Sequence, residues 1–272
     1  MNDRIKFLGL LVIVLTIVSS CDKDDNTDNF NNRNYSIKSI FDNGMTSAKF
    51  IYDGNGKITE YQSFYFCNKY TYDANGRLTK QEVAVDPDIA SSSIPFVKSE
   101  LMTSQNSTFT GYYIFEYNSS GKLVTQKNYF KKKDQFEYTS MDSLEYEGNK
   151  IVKRNLHNDQ NVITQFYTYK YDKNLNVTKE MHYSFLLILG AEPKLVSEVS
   201  YKYDDKNNPF IIFKDLGQPG LYSNTNNIIE TSSVLYENVP GIDKFSTSKT
   251  TYEYNDKGFP TRVVGAEEYK YE

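Results

Sequence analysis

The stretch YTYDANGRLT, residues 70–79, contains the short pattern on which most of the chain is built. Tyr70 and Tyr72 alternate with polar residues, as they do in a strand that is buried on one side. Asp73 can cap the turn that follows, and Gly76 supplies the positive φ that is needed after a type I turn. A basic and an aliphatic residue then begin the return strand. The stretch therefore predicts a β-hairpin with a three-residue turn and a bulge.

The pattern recurs along the chain, and its recurrence predicts the fold class. Further copies read FIYDGNGKIT, FEYNSSGKLV, YKYDKNLNVT and YEYNDKGFPT, and the second aromatic residue of the pattern falls at Tyr52, Tyr72, Tyr117, Tyr146, Tyr171, Tyr203 and Tyr254. Repetition on this length scale is typical of repeat architectures. We predict an all-β fold, an antiparallel meander of repeated hairpins curled into a soluble, barrel-like shell that protects its edges. No amphipathic helix is expected within this shell.

Three copies depart from the pattern near their turns. Asn176 is interpreted as the replacement for the glycine in YDKNLNV, because asparagine tolerates the left-handed region. Pro209 and Pro260 stand where a return strand should begin. Proline at that place favours an edge position or a strand start.

The N-terminal residues have the features of a lipoprotein signal. Arg4 and Lys6 precede an apolar run, residues 7–18, which is too short to span a bilayer comfortably and is followed by small residues and Cys21. The junction resembles the lipobox of bacterial lipoproteins, in which the signal is removed just before a cysteine that is then acylated. We predict a signal peptide over residues 1–20 and a lipid anchor on Cys21 that holds the protein at a membrane. The alternative is an ordinary secretory signal with a chance cysteine.

The residues after the predicted signal contain almost nothing to bury. Residues 21–34 read CDKDDNTDNFNNRN and predict a disordered tether, with a single hairpin-repeat domain over residues 35–272. The acidic residues after Cys21 are similar to the signal that sends some Gram-negative lipoproteins to the outer face of the outer membrane. A charged, solvated linker would look the same. The expected location is the outer membrane, with the protein facing the cell exterior.

The charge argues against a nucleic-acid-binding protein, and the cysteines argue against one held by internal disulfides. Removing Asp3, Arg4 and Lys6 with the signal leaves 29 basic and 34 acidic side chains and a formal charge of −5. A nucleic-acid partner would call for a basic face, so none is expected. With Cys21 acylated, Cys67 is the remaining thiol and no internal disulfide can form. Cys67 lies among aromatic residues in FYFCNKY, which predicts a buried side chain and not a reactive one.

The segments YDANGRLT and YDGNGKIT resemble the YD repeats of Rhs-type proteins, whose shells are spiralling β-sheets of comparable hairpins. Together with the lipobox, and with YDDKNNPF late in the chain, they resemble a family of small surface lipoproteins from Gram-negative anaerobes described as having a porin-like β fold. The resemblance covers the chain from about Tyr35 to the end. The resemblance implies an architecture and says nothing about the activity.

A transmembrane porin is not expected, because the faces opposite the tyrosines carry Lys, Glu and Thr where a barrel needs a lipid-facing apolar band. The mean hydropathy is −0.62. The chain also ends in Glu272, whereas outer-membrane barrels generally finish on an aromatic residue.

Catalytic and metal-binding motifs are weak. His157 and His182 have neither a cysteine nor a second histidine beside them, and no Gly-x-Ser-x-Gly nucleophile elbow occurs. The Asp-x-Asn-Gly turns suggest calcium, but twelve-residue loops that start at Asp53, Asp73 or Asp172 would end on Phe64, Ala84 or Tyr183 instead of a glutamate. We predict no catalytic residue, no metal site and no cofactor.

The 24 tyrosines are the one compositional excess, and they suggest binding. Those in the repeat are interpreted as the core ladder, and those outside its register are the candidates for exposed contacts: Tyr112, Tyr113, Tyr222 and Tyr236. The predicted function is a non-catalytic surface module that binds a glycan or an envelope protein. The alternatives are a structural subunit of an envelope complex and an extracellular hydrolase, which would need two carboxyl groups in a cleft with at least one shifted pKa.

Overall fold

A computed structural model of the protein describes residues 35–87, 100–185, 192–216, 219–220, 223–236 and 242–272. These residues form one antiparallel sheet of seventeen strands and one 3₁₀ helix, which confirms the predicted all-β meander. The predicted signal, the tether and Cys21 lie outside the described residues. Within the described part of the chain, no helix has the length and apolar character that a membrane span requires.

The strands follow one another along the chain. They are β1 (Ile37–Asp42), β2 (Met45–Tyr52), β3 (Ile58–Ser63), β4 (Phe66–Tyr72), β5 (Leu78–Val85), β6 (Gly111–Tyr117), β7 (Leu123–Lys132), β8 (Gln135–Glu147), β9 (Lys150–His157), β10 (Ile163–Tyr171), β11 (Val177–Ser184), β12 (Lys194–Asn207), β13 (Asn226–Leu235), β14 (Phe245–Lys249), β15 (Tyr252–Tyr254), β16 (Pro260–Val263) and β17 (Glu267–Tyr271). The 3₁₀ helix, Pro209–Leu216, lies between β12 and β13.

The sheet curls round but is not closed by strand pairing. Consecutive strands pair from β1 to β14, β15 pairs with β16, β16 with β17, and β17 with β1. The two edges are therefore β14 and β15, which are separated in the chain by Thr250 and Thr251 alone. Thr250 N donates to Ile229 O at 2.9 Å on one side, and Val264 N donates to Thr251 O at 2.9 Å on the other. Both edges are short and meet at one seam, as edge protection requires.

The repeated turn has the predicted geometry. Gly76 has a φ of 75° and donates its N–H to Asp73 O at 2.9 Å. One carboxylate oxygen of Asp73 accepts from the backbone N–H groups of Asn75 and Arg77, each at 2.9 Å. The same capping arrangement occurs at the turns that begin at Asp53, Asn118, Asn158, Asp172 and Asn255. The recurring Asp or Asn of the pattern thus stabilises the turn of each of these hairpins.

Two local predictions were wrong, and both errors lie near turns. The residue at the glycine position of YDKNLNV is Leu175, with a φ of 65°, and not Asn176. Asn176 is buried one residue further on, where its amide donates to Asn226 Oδ1 at 2.9 Å. Pro209 begins the 3₁₀ helix and not a strand, because Asn208 Oδ1 accepts the Phe210 N–H and caps the helix. The helix was not anticipated.

The core lies inside the curl and is rich in aromatic residues. Tyr70 and Tyr169 are buried, as the predicted core ladder requires. The 3₁₀ helix turns Phe213 into this core, 6.0 Å from the ring of Phe50. Cys67 is fully buried as predicted, and burial raises the pKa of its thiol to about 12.

In most hairpins a tyrosine of the pattern also bonds to the preceding strand. Its hydroxyl donates to a backbone carbonyl near the start of that strand, whereas that of Tyr254 donates to the Asp204 carboxylate. The bonds run from Tyr52 to Ile37, Tyr72 to Ile58, Tyr117 to Leu78, Tyr171 to Ile151, Tyr203 to Val177 and Tyr271 to Pro260. The inward tyrosines therefore join neighbouring hairpins.

Candidate functional site

Four aromatic side chains form a partly exposed patch on the outer face of β6, β7 and β8. Tyr112 stacks on Tyr129, with ring centroids 4.8 Å apart and planes 13° apart. Phe136 meets Tyr112 edge-on at 5.1 Å, and Tyr138 meets Tyr129 edge-on at 5.8 Å. Phe136 is 44% exposed. We call these four residues the Tyr112 patch.

Strand pairing explains why these rings meet. Tyr112 faces Tyr129 in the β6–β7 ladder, and Tyr129 faces Tyr138 in the β7–β8 ladder. Side chains at paired positions of antiparallel strands lie about 5 Å apart, which lets aromatic rings stack. Their neighbours Tyr113 and Asn128 point to the other face and are buried. The patch is therefore positioned by three paired strands.

Charged side chains flank the aromatic rings. The ammonium group of Lys80 lies 4.9 Å from the ring centroid of Tyr112. Lys127 Nζ lies 2.6 Å from Glu116 Oε1, and Thr125 Oγ1 donates to Glu116 Oε2 at 2.7 Å. Hydrogen bonds from Lys127 and Thr125 hold the pKa of Glu116 below its usual range. The patch thus has charges of both signs at its rim.

The hydroxyl groups of the patch differ from those of the core. Those of Tyr112, Tyr129 and Tyr138 make no hydrogen bond to any residue that the structure describes, whereas many of the inward tyrosines donate to backbone carbonyls. Burial raises the pKa of Tyr138, helped by Tyr129 and opposed by Lys127. A tyrosine hydroxyl can both donate and accept, so each of the three can form a hydrogen bond with a group outside the protein.

The structure separates the four tyrosines that the sequence selected. Tyr112 belongs to the patch. Tyr113 is 2% exposed and faces the core, so the prediction that it is an exposed contact residue was wrong. Tyr236 is 46% exposed but directly follows β13, seven strands away from β6 in the sheet. Tyr222 and the predicted lipidation site, Cys21, lie outside the described residues.

Sequence reasoning missed three members of the patch. Tyr129, Phe136 and Tyr138 lie in NYFKKKDQFEY, which is a hairpin outside the repeated phrase. A signal was present, because Phe136 and Tyr138 alternate with polar residues and therefore share one face of a strand. The face on which the two side chains lie depends on a shift in the β7–β8 register between Asn128 and Tyr129. The sequence does not reveal this shift.

The two histidines have ordinary polar partners. His157 Nε2 lies 2.9 Å from Ser143 Oγ, and His182 Nε2 lies 2.9 Å from Gln165 Oε1. Among the described residues, no three His, Cys, Asp or Glu side chains are grouped as a metal ion would require.

Two carboxyl groups lie on the inner face of the sheet. Asp142 Oδ2 accepts from both Nε and Nη2 of Arg154 at 2.7 Å, and both side chains are at most 8% exposed. Glu180 faces buried Tyr169 in the β10–β11 ladder. Burial raises the pKa of Glu180 to about 7, and the charge of Arg154 opposes the shift. Asp142 is held in an ion pair, while Glu180 has no hydrogen bond to a described residue.

Comparisons with known proteins find similar architectures at low similarity. The chain matches no protein-family model, so the YD repeats have no support from that comparison. No curated protein matches it in sequence. A porin-like protein from Bacteroides vulgatus is 11% identical, with 87% of this chain and 99% of that chain covered and a TM-score of 0.40.

Two further solved structures show the same low similarity. A porin-like protein from Bacteroides uniformis is 12% identical, with 87% and 98% of the two chains covered and a TM-score of 0.38. A chain of the Photorhabdus luminescens Tc holotoxin pore is 11% identical, with 76% and 13% covered and a TM-score of 0.19. The chain is thus similar to porin-like Bacteroides proteins and to a Tc toxin chain, at a level that carries no argument about function.

Proposed function

We propose that the protein is a non-catalytic, lipid-anchored module of the outer cell surface that captures carbohydrate through the Tyr112 patch. The observation that carries this proposal is the contrast between two sets of tyrosines. Inward tyrosines such as Tyr171 bond to the backbone, whereas Tyr112, Tyr129 and Tyr138 leave their hydroxyls available on the outer face.

The chemistry of the patch favours a sugar over an apolar partner. A pyranose ring presents a face of C–H groups that packs on aromatic rings and a rim of hydroxyls that needs donors and acceptors. The patch offers both, because the aromatic rings carry hydroxyls and the charged side chains of Lys80, Lys127 and Glu116 stand beside them. An exposed aromatic group such as Phe136 is also the kind of side chain that anchors a ligand.

The proposed location follows from the sequence. The apolar run and the cysteine at position 21 predict a lipid anchor, and the acidic residues after it suggest the outer face of the outer membrane. Replacing Cys21 by serine should release the protein from membranes, and protease added to intact cells should digest the wild-type protein. Retention of the Cys21→Ser protein in membranes would contradict the proposed anchor.

A glycan array and pull-downs with insoluble polysaccharides, each with and without calcium, test the binding function. The purified protein should give saturable binding to at least one carbohydrate. Phe136→Ala with Tyr129→Ala should weaken that binding about tenfold or more, since aromatic anchors typically contribute more than about 1 kcal/mol each.

A second aromatic pair on the outer face provides the matched control. Phe166 stacks on Tyr183 at 4.7 Å, with Lys153 Nζ 4.8 Å from the ring centroid of Phe166. Phe166→Ala should leave carbohydrate binding unchanged. No saturable binding to any carbohydrate, or equal losses in the patch and control variants, would overturn the proposal, and capture of a specific envelope protein by the same patch would replace it.

A further inference from the structure

The outer edge of strand β14 has no partner among the strands that the structure describes. β14 pairs with β13 on one side, and all of its residues are exposed, with Phe245 68% exposed. Its sequence, FSTSK, contains no proline and a single charged residue, Lys249. An edge of this kind presents backbone N–H and C=O groups to any strand that can pair with it. β14 is therefore a place where a further strand can be added to the sheet.

The pairing with β13 shows which backbone groups of β14 point outwards. Leu235 N donates to Lys244 O at 2.8 Å, and Thr250 N donates to Ile229 O at 2.9 Å. The register between these two bonds has no shift. Because the backbone groups of successive residues point alternately to the two sides of a strand, the even-numbered residues of β14 bond to β13. The groups that point away from β13 are those of Phe245, Thr247 and Lys249.

The neighbouring hairpin, β16–β17, is too short to cover these groups. Thr251 O accepts from Val264 N at 2.9 Å, and as an odd-numbered residue Thr251 faces the same side as the free groups of β14. The chain then turns back, with Ala266 N donating to Val263 O at 3.0 Å, and β17 begins at Glu267. The outer edge of β14 therefore lies beyond the tip of the β16–β17 hairpin.

We infer that two copies of the protein associate through their β14 strands, which pair antiparallel about a twofold axis at Thr247. In this register Thr247 faces Thr247 of the second copy, and Phe245 faces Lys249 of the second copy. All three residues with outward backbone groups then form hydrogen-bonded pairs, and each such pair exchanges two N–H···O bonds. The association goes beyond carbohydrate capture and does not depend on the Tyr112 patch.

The side chains of β14 favour a second copy over an unrelated strand. Residues that face each other in an antiparallel pair bring their side chains into contact. The Lys249 ammonium group would meet the Phe245 ring of the second copy, and the twofold axis repeats this cation–π contact at the other end of the pair. A shift that set Lys249 opposite Lys249 of the second copy would bring like charges together and leave outward backbone groups unpaired. The edge is thus complementary to itself in one register.

Disulfide trapping tests this register, with the purified protein kept in detergent so that the predicted lipid does not drive association. Thr247→Cys should give a covalent dimer on mild oxidation, because the Cα atoms of a hydrogen-bonded pair lie about 5.5 Å apart, which a disulfide can span. Ser246→Cys is the matched control, since the two copies of position 246 would lie diagonally, about 7–8 Å apart and out of reach. Cys67 is fully buried and should add no background.

Two charge variants test the same register by sedimentation velocity. Phe245→Lys places like charges opposite each other at both ends of the strand pair, whereas Phe245→Glu places opposite charges there. Phe245→Lys should therefore have a dimer dissociation constant about tenfold or more above that of Phe245→Glu. Circular dichroism should confirm that both variants keep the β fold, because position 245 is exposed.

Three results would overturn the inference. The first is a protein that sediments as a monomer up to about 1 mM, where even a weak complex would form. The second is trapping of Ser246→Cys as readily as Thr247→Cys. The third is equal association of the two charge variants.

Discussion

Replacing Glu180 by glutamine should change how the stability of the protein depends on pH. The carboxyl group faces the core, and a Cβ on Gly220 would lie 3.4 Å from its Oε2, so the backbone at Gly220 covers it. Burial raises the pKa of Glu180 from an ordinary 4.5 to about 7, although Arg154 opposes the shift. The charged form of Glu180 is therefore the costly one in the folded protein.

The other groups that face Glu180 simplify the experiment. The tyrosines around it lie on β10 and β12 and include Tyr169, Tyr201 and Tyr203, and burial raises the pKa of each well above neutrality. They stay uncharged between pH 4 and 8. Asp142, Arg154 and the nearby His182 are present in both the wild type and the variant, which differ only at position 180.

The expected magnitude follows from the shift. A rise from 4.5 to about 7 corresponds to about 3 kcal/mol, at about 1.4 kcal/mol for each pKa unit. Because the pKa is higher in the folded state, the contribution of Glu180 is fully present below about pH 4.5 and is lost as the pH rises through about 7. Glutamine is neutral throughout. Glu180→Gln should therefore match the wild type near pH 4 and exceed its free energy of unfolding by up to about 3 kcal/mol near pH 8.

Urea unfolding of both proteins at intervals from pH 4 to pH 8 gives this difference. The control is Glu116→Gln, because Lys127 and Thr125 lower the pKa of that carboxyl and its contribution has the opposite sign. Glu116 is partly exposed, so this control should lose less than about 1 kcal/mol near pH 7. A difference between Glu180→Gln and the wild type that stays constant across this range would refute the reasoning, because it would mean that Glu180 is as well solvated folded as unfolded.

Three further changes test how the hairpins are held together, each measured by urea unfolding. Leu175→Gly should stabilise the protein by about 1 kcal/mol, because leucine at a φ of 65° is strained and this side chain is 55% exposed; a loss of stability would show that its contacts matter more. Tyr171→Phe should lower the free energy of unfolding by about 1–2 kcal/mol, and Tyr129→Phe by less than about 0.5 kcal/mol. Equal losses would show that the hydrogen bond from Tyr171 to Ile151 does not stabilise the protein. Arg154→Met should cost about 3–5 kcal/mol, and adding Asp142→Leu should restore much of it, whereas additive losses would argue against a buried pair.

The sequence predicted the features that depend on neighbouring residues. The turn around Gly76 depends on hydrogen bonds within five residues, so the residues that form it can be recognised in the sequence. The same is true of Pro260, which begins β16 as expected. Alternation likewise placed Tyr70 in the core.

The features that depend on distant residues were not predictable in the same way. Asn176 is buried because it bonds to Asn226, fifty positions away, and this partner is not apparent from the local pattern. The 3₁₀ helix forms where Phe213 can reach Phe50 across the curled sheet. The Tyr112 patch depends on the register of three strands, and a one-residue bulge decides which side chains share a face.

The position of β1 has a mechanical consequence. Ile37–Asp42 is paired with β17 on one side and with β2 on the other, and Ser36 exchanges backbone hydrogen bonds with Glu272. The chain therefore enters the sheet in its middle, while the edges of the sheet lie elsewhere. A pulling force applied through the residues before Tyr35 and directed along the strand would load both ladders of β1 in shear. Its hydrogen bonds would then have to break together and not one after another, so the shell resists force best where the chain leading from its N-terminus joins it.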